Sequence, residues 1–278
     1  MESAAKSCIL CGACKRELLI ESGSWKIYRC TLCGLGSLDP HPTKEELSTL
    51  YSREYFATQY DEGVEPESPE FKKWLSLLEH RIRFFRAKKR AGTLLDIGCG
   101  NGYFLALCRS RGYEVQGIDI SKWASKYATQ RLGLSITTGE IDDVNLPAHY
   151  FDIITMWHTL EHTPNPRHVM LKVKNWLKED GILVVEVPNY EGTDARRYWK
   201  DWIGWQFPFH LYHFTPQTLK QLLGIFGFRV VKTKDYHSET VKEALKRIPV
   251  INIFARLISK MFSGHSIAVI AKLDAHML

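Results

Sequence analysis

Residues 93–103, TLLDIGCGNGY, constrain the fold more than any other part of this sequence. A short apolar run, long enough for one buried strand, leads into Gly98, Gly100 and Gly102 and then into a segment with helical spacing. Glycine permits positive φ and lets the backbone lie close to a ligand. Because backbone N–H groups are unpaired at a helix start, this turn can hold an anion such as a phosphate or a carboxylate.

The glycine spacing argues against a dinucleotide as the ligand. Read from Gly98, the fingerprint G-x-G-x-x-G/A needs a small residue at position 103, where this chain has Tyr103. The pattern D-x-G-x-G-x-G instead resembles the first motif of the class I S-adenosylmethionine (SAM) methyltransferases, and the resemblance extends over residues 93–273. It implies an α/β, Rossmann-like sheet that is mostly parallel with its last strand antiparallel, and it implies SAM as the cofactor.

Two acids follow predicted strands at positions that suit a cofactor. Asp119 ends the second strand of the doubly wound pattern, where an acid binds ribose hydroxyls. Ile120 comes next and is a further candidate for contact with SAM. Asp96 ends the first strand, and we expect it to order the glycine turn and the amino group of SAM. The alternative for Asp96 is a purely structural, turn-capping acid.

The resemblance also implies contacts after the third and fourth predicted strands. In the family, the turn after the third strand contacts the adenine, which corresponds here to Glu140 and Ile141. Both residues also fit an ordinary loop. Trp157 and His158, at the end of the fourth strand, resemble the residues that flank the methionine and sulfonium part of SAM.

A metal site is indicated near the N-terminus. Cys8 and Cys11 form one C-x-x-C-G turn, Cys30 and Cys33 form a second, and eighteen residues separate the two pairs. This is the spacing of a zinc ribbon, in which four thiolates complete a closed tetrahedral site with a structural role. Cys14 is left over, and a pair formed by Cys11 and Cys14 is the alternative. The remaining interpretation is that these cysteines are free thiols with no bound metal.

Candidate catalytic residues lie in two segments of the second half. Glu161 and His162 resemble the L-E-H element of the ubiquinone-pathway O-methyltransferases, where an acid and a histidine serve a divalent ion or a base. His210 and His213 lie in an aromatic segment, and a histidine there can remove a proton from the acceptor. Resemblance to sugar C-methyltransferases favours His210, although Phe209 replaces the acid that often precedes it. For His162, and for His210 and His213, a structural role is the alternative.

Composition places the chain among ordinary globular proteins. Its 278 residues carry a net charge of +6, are 45% hydrophobic and are 24% charged. The first residues lack the basic and apolar regions of a signal peptide, and there is no apolar run of about 20 residues, so we expect a cytoplasmic protein. The ribbon has few basic residues, which argues against nucleic acid as a partner. The expected partner is a small-molecule acceptor.

Three segments are predicted along the chain. Residues 1–45 form the zinc-ribbon module, residues 46–92 form a helical bridge with a candidate lid, and residues 93–278 form the methyltransferase domain. Residues 237–264 are expected to be an amphipathic helical insertion in that domain. Apolar and basic residues alternate there, which fits peripheral membrane contact. The same stripe fits packing on its own domain or on a second subunit of a homodimer.

The sequence therefore predicts a SAM-dependent methyltransferase that acts on an oxygen or a carbon of a sugar-like or phenol/quinone-like acceptor. The alternative is a non-catalytic SAM-fold protein that binds a partner through the zinc ribbon, and the intact glycine turn argues against it. A short-chain dehydrogenase is disfavoured because it needs another glycine spacing and a Tyr-x-x-x-Lys pair. Tyr236 has Thr240, not lysine, four residues on.

Overall fold

Two β-sheets form the framework of the protein, for which a computed structural model describes residues 7–50, 64–246, 248, 258–259 and 262–274. The strands are β1 (Arg16–Ser22), β2 (Trp25–Cys30), β3 (Gly36–Asp39), β4 (Gly92–Ile97), β5 (Tyr113–Asp119), β6 (Ser135–Thr138), β7 (Phe151–Trp157), β8 (Leu177–Pro188), β9 (Tyr212–His213), β10 (Phe228–His237) and β11 (Ser263–Leu273). The α-helices are α1 (Lys44–Leu50), α2 (Pro69–Phe85), α3 (Tyr103–Ser110), α4 (Lys122–Gln130), α5 (Pro166–Trp176), α6 (Thr193–Tyr198), α7 (Pro216–Ile225) and α8 (Glu239–Lys246).

The larger sheet has seven strands in the order β10-β11-β8-β7-β4-β5-β6. Strand β4 pairs in parallel with both β5 and β7, and β5 pairs in parallel with β6. One strand of the sheet is antiparallel. The predicted Rossmann-like fold is confirmed, and its parallel strands bring the ends of β4, β5, β6 and β7 to one edge of the sheet.

The apolar runs of the sequence become the core of this sheet. Leu94 and Leu95 of β4, Ile153 and Ile154 of β7, and the 182–185 segment of β8 are fully buried. Continuous apolar strands of this kind are typical of a parallel sheet that is covered on both faces. Sequence alone therefore located the central strands correctly.

The smaller sheet has four strands in the order β1-β2-β3-β9. Strands β1 and β2 form the hairpin between the two cysteine pairs, and β3 pairs antiparallel with β2. The fourth strand, β9, comes from the aromatic segment far along the chain and pairs antiparallel with β3. The sequence did not predict this last pairing.

Residues 1–41, 160–167 and 186–269 form one compact unit, called here the ribbon unit. Residues 42–159, 168–185 and 270–278 form the other, called here the glycine-turn unit. The predicted domain boundaries at 45 and 92 stay predictions. Residues 51–63, which include part of the candidate lid, lie outside the described residues, as do residues 247, 249–257 and 260–261 of the insertion predicted at 237–264. Within that insertion the structure describes the last residue of β10, helix α8 and the first two residues of β11.

Side-chain caps explain where several helices begin. Ser121 Oγ accepts a hydrogen bond from Ala124 N at the start of α4. Thr215 and Thr218 exchange hydrogen bonds at the start of α7. Helix α5 ends at Trp176, and β8 begins at the next residue, Leu177, so Gly181 lies inside that strand.

Within the described residues, no helix has both the length and the apolar character that are needed to cross a bilayer.

Candidate active site and metal centre

The glycine turn has the backbone geometry that its sequence predicts. Gly98, Gly100 and Gly102 have φ values of +75°, +53° and +77°, which residues with a Cβ atom rarely adopt. A Cβ atom at Gly98 would lie 2.3 Å from Thr159 Oγ1, so the turn also leaves no room for one. Gly102 directly precedes α3, and the turn therefore presents its backbone at the N-terminus of that helix.

Asp119 ties the glycine turn to the end of β5. Its Oδ2 atom accepts a hydrogen bond from Gly100 N at 2.7 Å, and its Oδ1 atom accepts one from Ser121 N at 2.8 Å. Burial raises the pKa of Asp119, and the two N–H donors partly offset that effect. Each carboxylate oxygen can accept a second hydrogen bond, so Asp119 can also bind ligand hydroxyls. The next residue, Ile120, is 48% exposed and offers apolar surface beside this acid.

Asp96 is a buried acid at the end of β4. Thr155 donates its hydroxyl to Asp96 Oδ1 at 2.6 Å, and Thr155 is itself fully buried. Burial raises the pKa of Asp96 to about 7, although the Thr155 hydrogen bond and the Arg81 guanidinium lower it in part. A carboxyl group with this pKa can change its charge when a cation binds beside it.

Replacing Asp96 by asparagine should remove a pH dependence of stability. The folded protein holds this proton more tightly than the unfolded chain does. The free energy of unfolding should therefore fall as pH rises from about 4 to about 7, by up to about 1.4 kcal/mol per pH unit. Asp96→Asn should lack that slope, so the stability of the variant relative to the wild type should increase as pH rises. Urea unfolding of both proteins across this range measures the difference, and parallel pH profiles would contradict it.

Arg81 is a candidate site residue that the sequence analysis did not name, and it lies in a part of α2 that is rich in basic residues. In the structure its guanidinium lies 4.9 Å from the centre of the Trp157 ring. A signal was present, because Arg81 follows Leu78 by three residues and precedes Phe85 by four, which puts it on the apolar face of α2.

Several buried polar atoms around the turn have no protein partner. They are Arg81 Nε, Trp157 Nε1 and both amide atoms of Asn101. Buried polar atoms normally have hydrogen-bond partners, and exceptions need a reason. A polar ligand bound at the glycine turn would supply one. The residues present therefore fit a cofactor with charged and hydroxyl groups, as SAM has.

The remaining predicted cofactor residues also lie at the ends of strands in the glycine-turn unit. Gly139 N donates to Asp119 O at 3.0 Å, so the turn that carries Glu140 and Ile141 starts beside Asp119. His158 follows β7 and has a φ of +53°. Thr159, the next residue, donates its hydroxyl to Ile97 O at 2.9 Å. These bonds hold the turns after β4, β5, β6 and β7 together.

Glu161, His162 and His210 form a compact cluster in the ribbon unit. Their potential ligand atoms all lie within 4.8 Å of one another, and Glu161 is fully buried. His162 Nδ1 lies 3.1 Å from Phe209 O, and His210 Nδ1 lies 2.8 Å from Gly204 O. A carbonyl oxygen only accepts, so each Nδ1 carries a proton, and in the neutral ring Nε2 is the nitrogen that has the lone pair. Either Nε2 can therefore accept a proton or bind a cation.

His213 has a different environment from His210. It is 3% exposed, and its ring packs 5.3 Å from that of Trp205. Burial lowers the pKa of His213 to about 3, with a further small effect of His162. His213 therefore stays neutral at physiological pH, as a structural residue of β9 would. The aromatic segment around it is mostly a packed wall, since Tyr190, Trp202, Trp205, Tyr212 and Phe214 are buried.

The four cysteines of the ribbon come together as their spacing predicts. Cys8 Sγ lies 3.6 Å from Cys33 Sγ, and Cys11 Sγ lies 3.5 Å from Cys30 Sγ. Tetrahedral zinc with Zn–S bonds of about 2.3 Å holds its ligands about 3.8 Å apart, so the donor set fits this ion. Burial raises the pKa of Cys30, but N–H groups of Cys33 and Leu32 outweigh it and lower the pKa to about 7. Cys14 is exposed and outside the cluster.

Comparison with known proteins agrees with this geometry. A family model described as a methyltransferase domain matches residues 71–233, which is more than half of the chain. The chain belongs to this methyltransferase family. The matched residues of this methyltransferase include the glycine turn, Asp119 and the Glu161–His162–His210 cluster.

Individual relatives of this methyltransferase cover parts of it. The ubiquinone biosynthesis O-methyltransferases of Glaesserella parasuis and Haemophilus ducreyi are 36% and 33% identical over 34% and 39% of this chain. These matches cover 45% and 52% of the relatives, so the chain spans about half the length of the curated relatives it matches. A solved SAM-dependent methyltransferase from Archaeoglobus fulgidus is 27% identical, with a TM-score of 0.55 over 73% of this chain and 96% of that one.

Proposed function

We propose that this protein transfers a methyl group from SAM to an oxygen or a carbon of a small-molecule acceptor. One observation carries the proposal. The glycine turn is tied to Asp119 by the Gly100 N–H, inside the segment that matches the methyltransferase family. The names of the curated relatives favour a phenol- or quinone-like oxygen acceptor, and a sugar-like acceptor is the second candidate.

SAM, when bound, supplies an electrophilic methyl group, and attack by the acceptor breaks the carbon–sulfur bond and leaves S-adenosylhomocysteine. The roles of the surrounding residues are part of the proposal. Asp119 binds the ribose hydroxyls, Asp96 holds the ammonium group of the methionine part, and Arg81 holds its carboxylate. Ile120, Glu140 and Ile141 are proposed to contact the adenine, because Ile120 follows Asp119 and the other two lie in the turn that starts beside it. Trp157 and His158, at the end of β7, are proposed to contact the methionine part.

His210 is proposed as the base, with His162 and Glu161 as supporting residues. Its Nε2 lone pair accepts the acceptor's proton while Nδ1 stays bound to Gly204 O. The fully buried carboxyl group of Glu161 is close enough to stabilise the imidazolium that forms. The potential ligand atoms of these three residues all lie within 4.8 Å of one another, which favours a second role, the binding of a divalent cation. Titration with Mg²⁺, Mn²⁺ and Zn²⁺ separates the two roles, since a base needs no added ion.

Calorimetric titration with SAM tests the proposal directly, followed by detection of S-adenosylhomocysteine with catechols, phenols and sugar nucleotides as acceptors. We expect binding, and turnover with one acceptor class. Absence of SAM binding by the folded protein would refute the proposal. Binding without turnover on any class would favour the non-catalytic, partner-binding alternative.

The ribbon is proposed to hold one structural zinc ion through Cys8, Cys11, Cys30 and Cys33. A closed site of four thiolates has no open position for water, so its role is structural. Native mass spectrometry should show one zinc per chain, and Cys33→Ser should lose the ion. Cys14→Ser is the matched control and should keep it, because Cys14 lies outside the cluster. Loss of zinc from Cys14→Ser instead would assign Cys14 as a ligand.

Membrane contact through residues 237–264, a homodimer and a cytoplasmic location stay predictions. Residues 247, 249–257 and 260–261 of that insertion lie outside the described residues.

A further inference from the structure

The ribbon is joined to the candidate catalytic cluster by main-chain hydrogen bonds. Gly36 pairs with His213, and Ser37 pairs with Tyr212, across β3 and β9. Beyond this pair, Leu38 N donates to Leu211 O at 2.9 Å, and Leu211 N donates to Glu161 O at 2.8 Å. A continuous path of backbone bonds therefore runs from a ribbon strand to the residue next to His210 and on to Glu161.

A second connection starts at the metal-binding turn itself. Gly34 directly follows Cys33, and its carbonyl oxygen accepts a hydrogen bond from the Tyr190 hydroxyl. The Tyr190 ring lies 6.1 Å from that of Trp205. Trp205 is the neighbour of Gly204, whose carbonyl holds His210 Nδ1. The turn at Cys30–Cys33 thus contacts the wall that sets the orientation of His210.

Strand β9 obtains its β-sheet pairing from the ribbon. It has only two residues, and it pairs with β3 at the edge of the four-stranded sheet. The next residue, Phe214, makes a separate bridge to Asn189. So short a strand is marginal without the rest of the sheet that it joins. The ribbon sheet is itself small, and a four-thiolate metal site is a usual way to make such a sheet rigid.

We propose that strand β3 of the ribbon is the positioning element for Glu161, His162 and His210, so that the ribbon's metal site sets the geometry of the acceptor side of the reaction. The catalytic consequence rests on the proposed function, but the positioning itself does not. The ribbon then has an internal partner, the aromatic segment of its own chain, rather than a separate macromolecule.

Gly36 makes this proposal testable with one methyl group. A Cβ atom there would lie 2.8 Å from His213 Cβ and 3.4 Å from His213 O, so β9 must move away from β3. Gly23, in the β1–β2 turn of the same ribbon, has nothing within 4 Å of its Cβ position. Gly23→Ala strains the backbone, because its φ is +60°, but it does not touch β9. It is the matched control.

The experiment compares Gly36→Ala with Gly23→Ala in the zinc-loaded, full-length protein. Long-range ¹H–¹⁵N spectra of the histidine rings report the Nδ1–H tautomer, with His210 assigned by its loss in His210→Asn. We expect Gly36→Ala to lose the single-tautomer signature of His210 and to lower kcat at least about tenfold. Zinc content and the Kd for SAM should change by less than about twofold, because the candidate cofactor residues all lie in the glycine-turn unit. Gly23→Ala should match the wild type in all four measurements.

If Gly36→Ala does not fold, Tyr190→Phe replaces it, since it removes the bond to Gly34 O without changing the ring. It should shift the same histidine signals with a smaller loss of kcat. Unchanged His210 signals in a folded, zinc-loaded variant would overturn the proposal, as would equal effects in Gly36→Ala and Gly23→Ala. A wild-type protein that shows no methyl transfer would refute the proposed function alone, because the histidine spectra still test the positioning.

Discussion

Asp119→Asn should weaken SAM binding by about 100-fold to 1,000-fold, the largest effect on cofactor binding expected from a single substitution. A hydrogen bond to a charged group contributes about 1.5–3 kcal/mol, and the two ribose hydroxyls together account for a loss of this size. The variant also turns one of the two acceptors into an amide donor that faces Gly100 N or Ser121 N. The glycine turn should therefore loosen, and the melting temperature should fall as well. Calorimetry and thermal unfolding measure the two effects.

Glu114→Gln is the control for this result. Glu114 lies on the same strand as Asp119 but is exposed near the strand's other end, so the variant removes one negative charge and leaves the turn intact. Its Kd for SAM should stay within about twofold of the wild type, since exposed charges at this separation are screened. Equal weakening in both variants would show that net charge, and not the position of Asp119, determines binding.

His210→Asn should lower kcat by a factor of about 100 to 10,000, the usual contribution of a general base. Asparagine can keep a donor near the position of Nδ1, so the bond to Gly204 O survives while the Nε2 lone pair is lost. The Kd for SAM and the melting temperature should therefore change little. Single-turnover measurement of methyl transfer at saturating SAM gives the test, because it separates the loss of the chemical step from any loss of binding.

His149→Asn is the chemical match for this substitution. His149 lies in the glycine-turn unit with a φ of +50°, a conformation that asparagine tolerates well. It should turn over at the wild-type rate. If His210→Asn also does so, His210 is not the base, and the cluster of Glu161, His162 and His210 needs another role, such as cation binding.

The geometry of the glycine turn could be predicted from the sequence because its determinants are local. The glycines of the turn are close neighbours in the chain, and their positive φ values follow from the absence of a Cβ atom. Asp119 was found because an acid at the end of the second parallel strand has a known place in such a sheet. The cysteine spacing was informative for the same reason, since each C-x-x-C turn builds half of a site within four residues.

Arg81 shows where sequence reasoning was incomplete. Basic residues are frequent near it, so composition alone does not distinguish it from its neighbours. The packing of α2 does, because it turns Arg81 towards Trp157 and leaves Arg83 and Arg86 exposed. Helix periodicity contained this distinction, but it can be used only when the packed face of α2 is known.

The sequence by itself determined the type of sheet, the cofactor turn and the four ribbon cysteines, since short-range spacing and backbone conformation specify them. Only the tertiary structure decided that β3 pairs with β9, and that Glu161, His162 and His210 share one cluster. Strands β3 and β9 are far apart in the chain, as His210 is from the adjacent pair Glu161 and His162, and no local sequence pattern predicts these contacts. Both contacts depend on the close approach of Gly36 to His213 and on the buried aromatic wall, and these features result from tertiary packing.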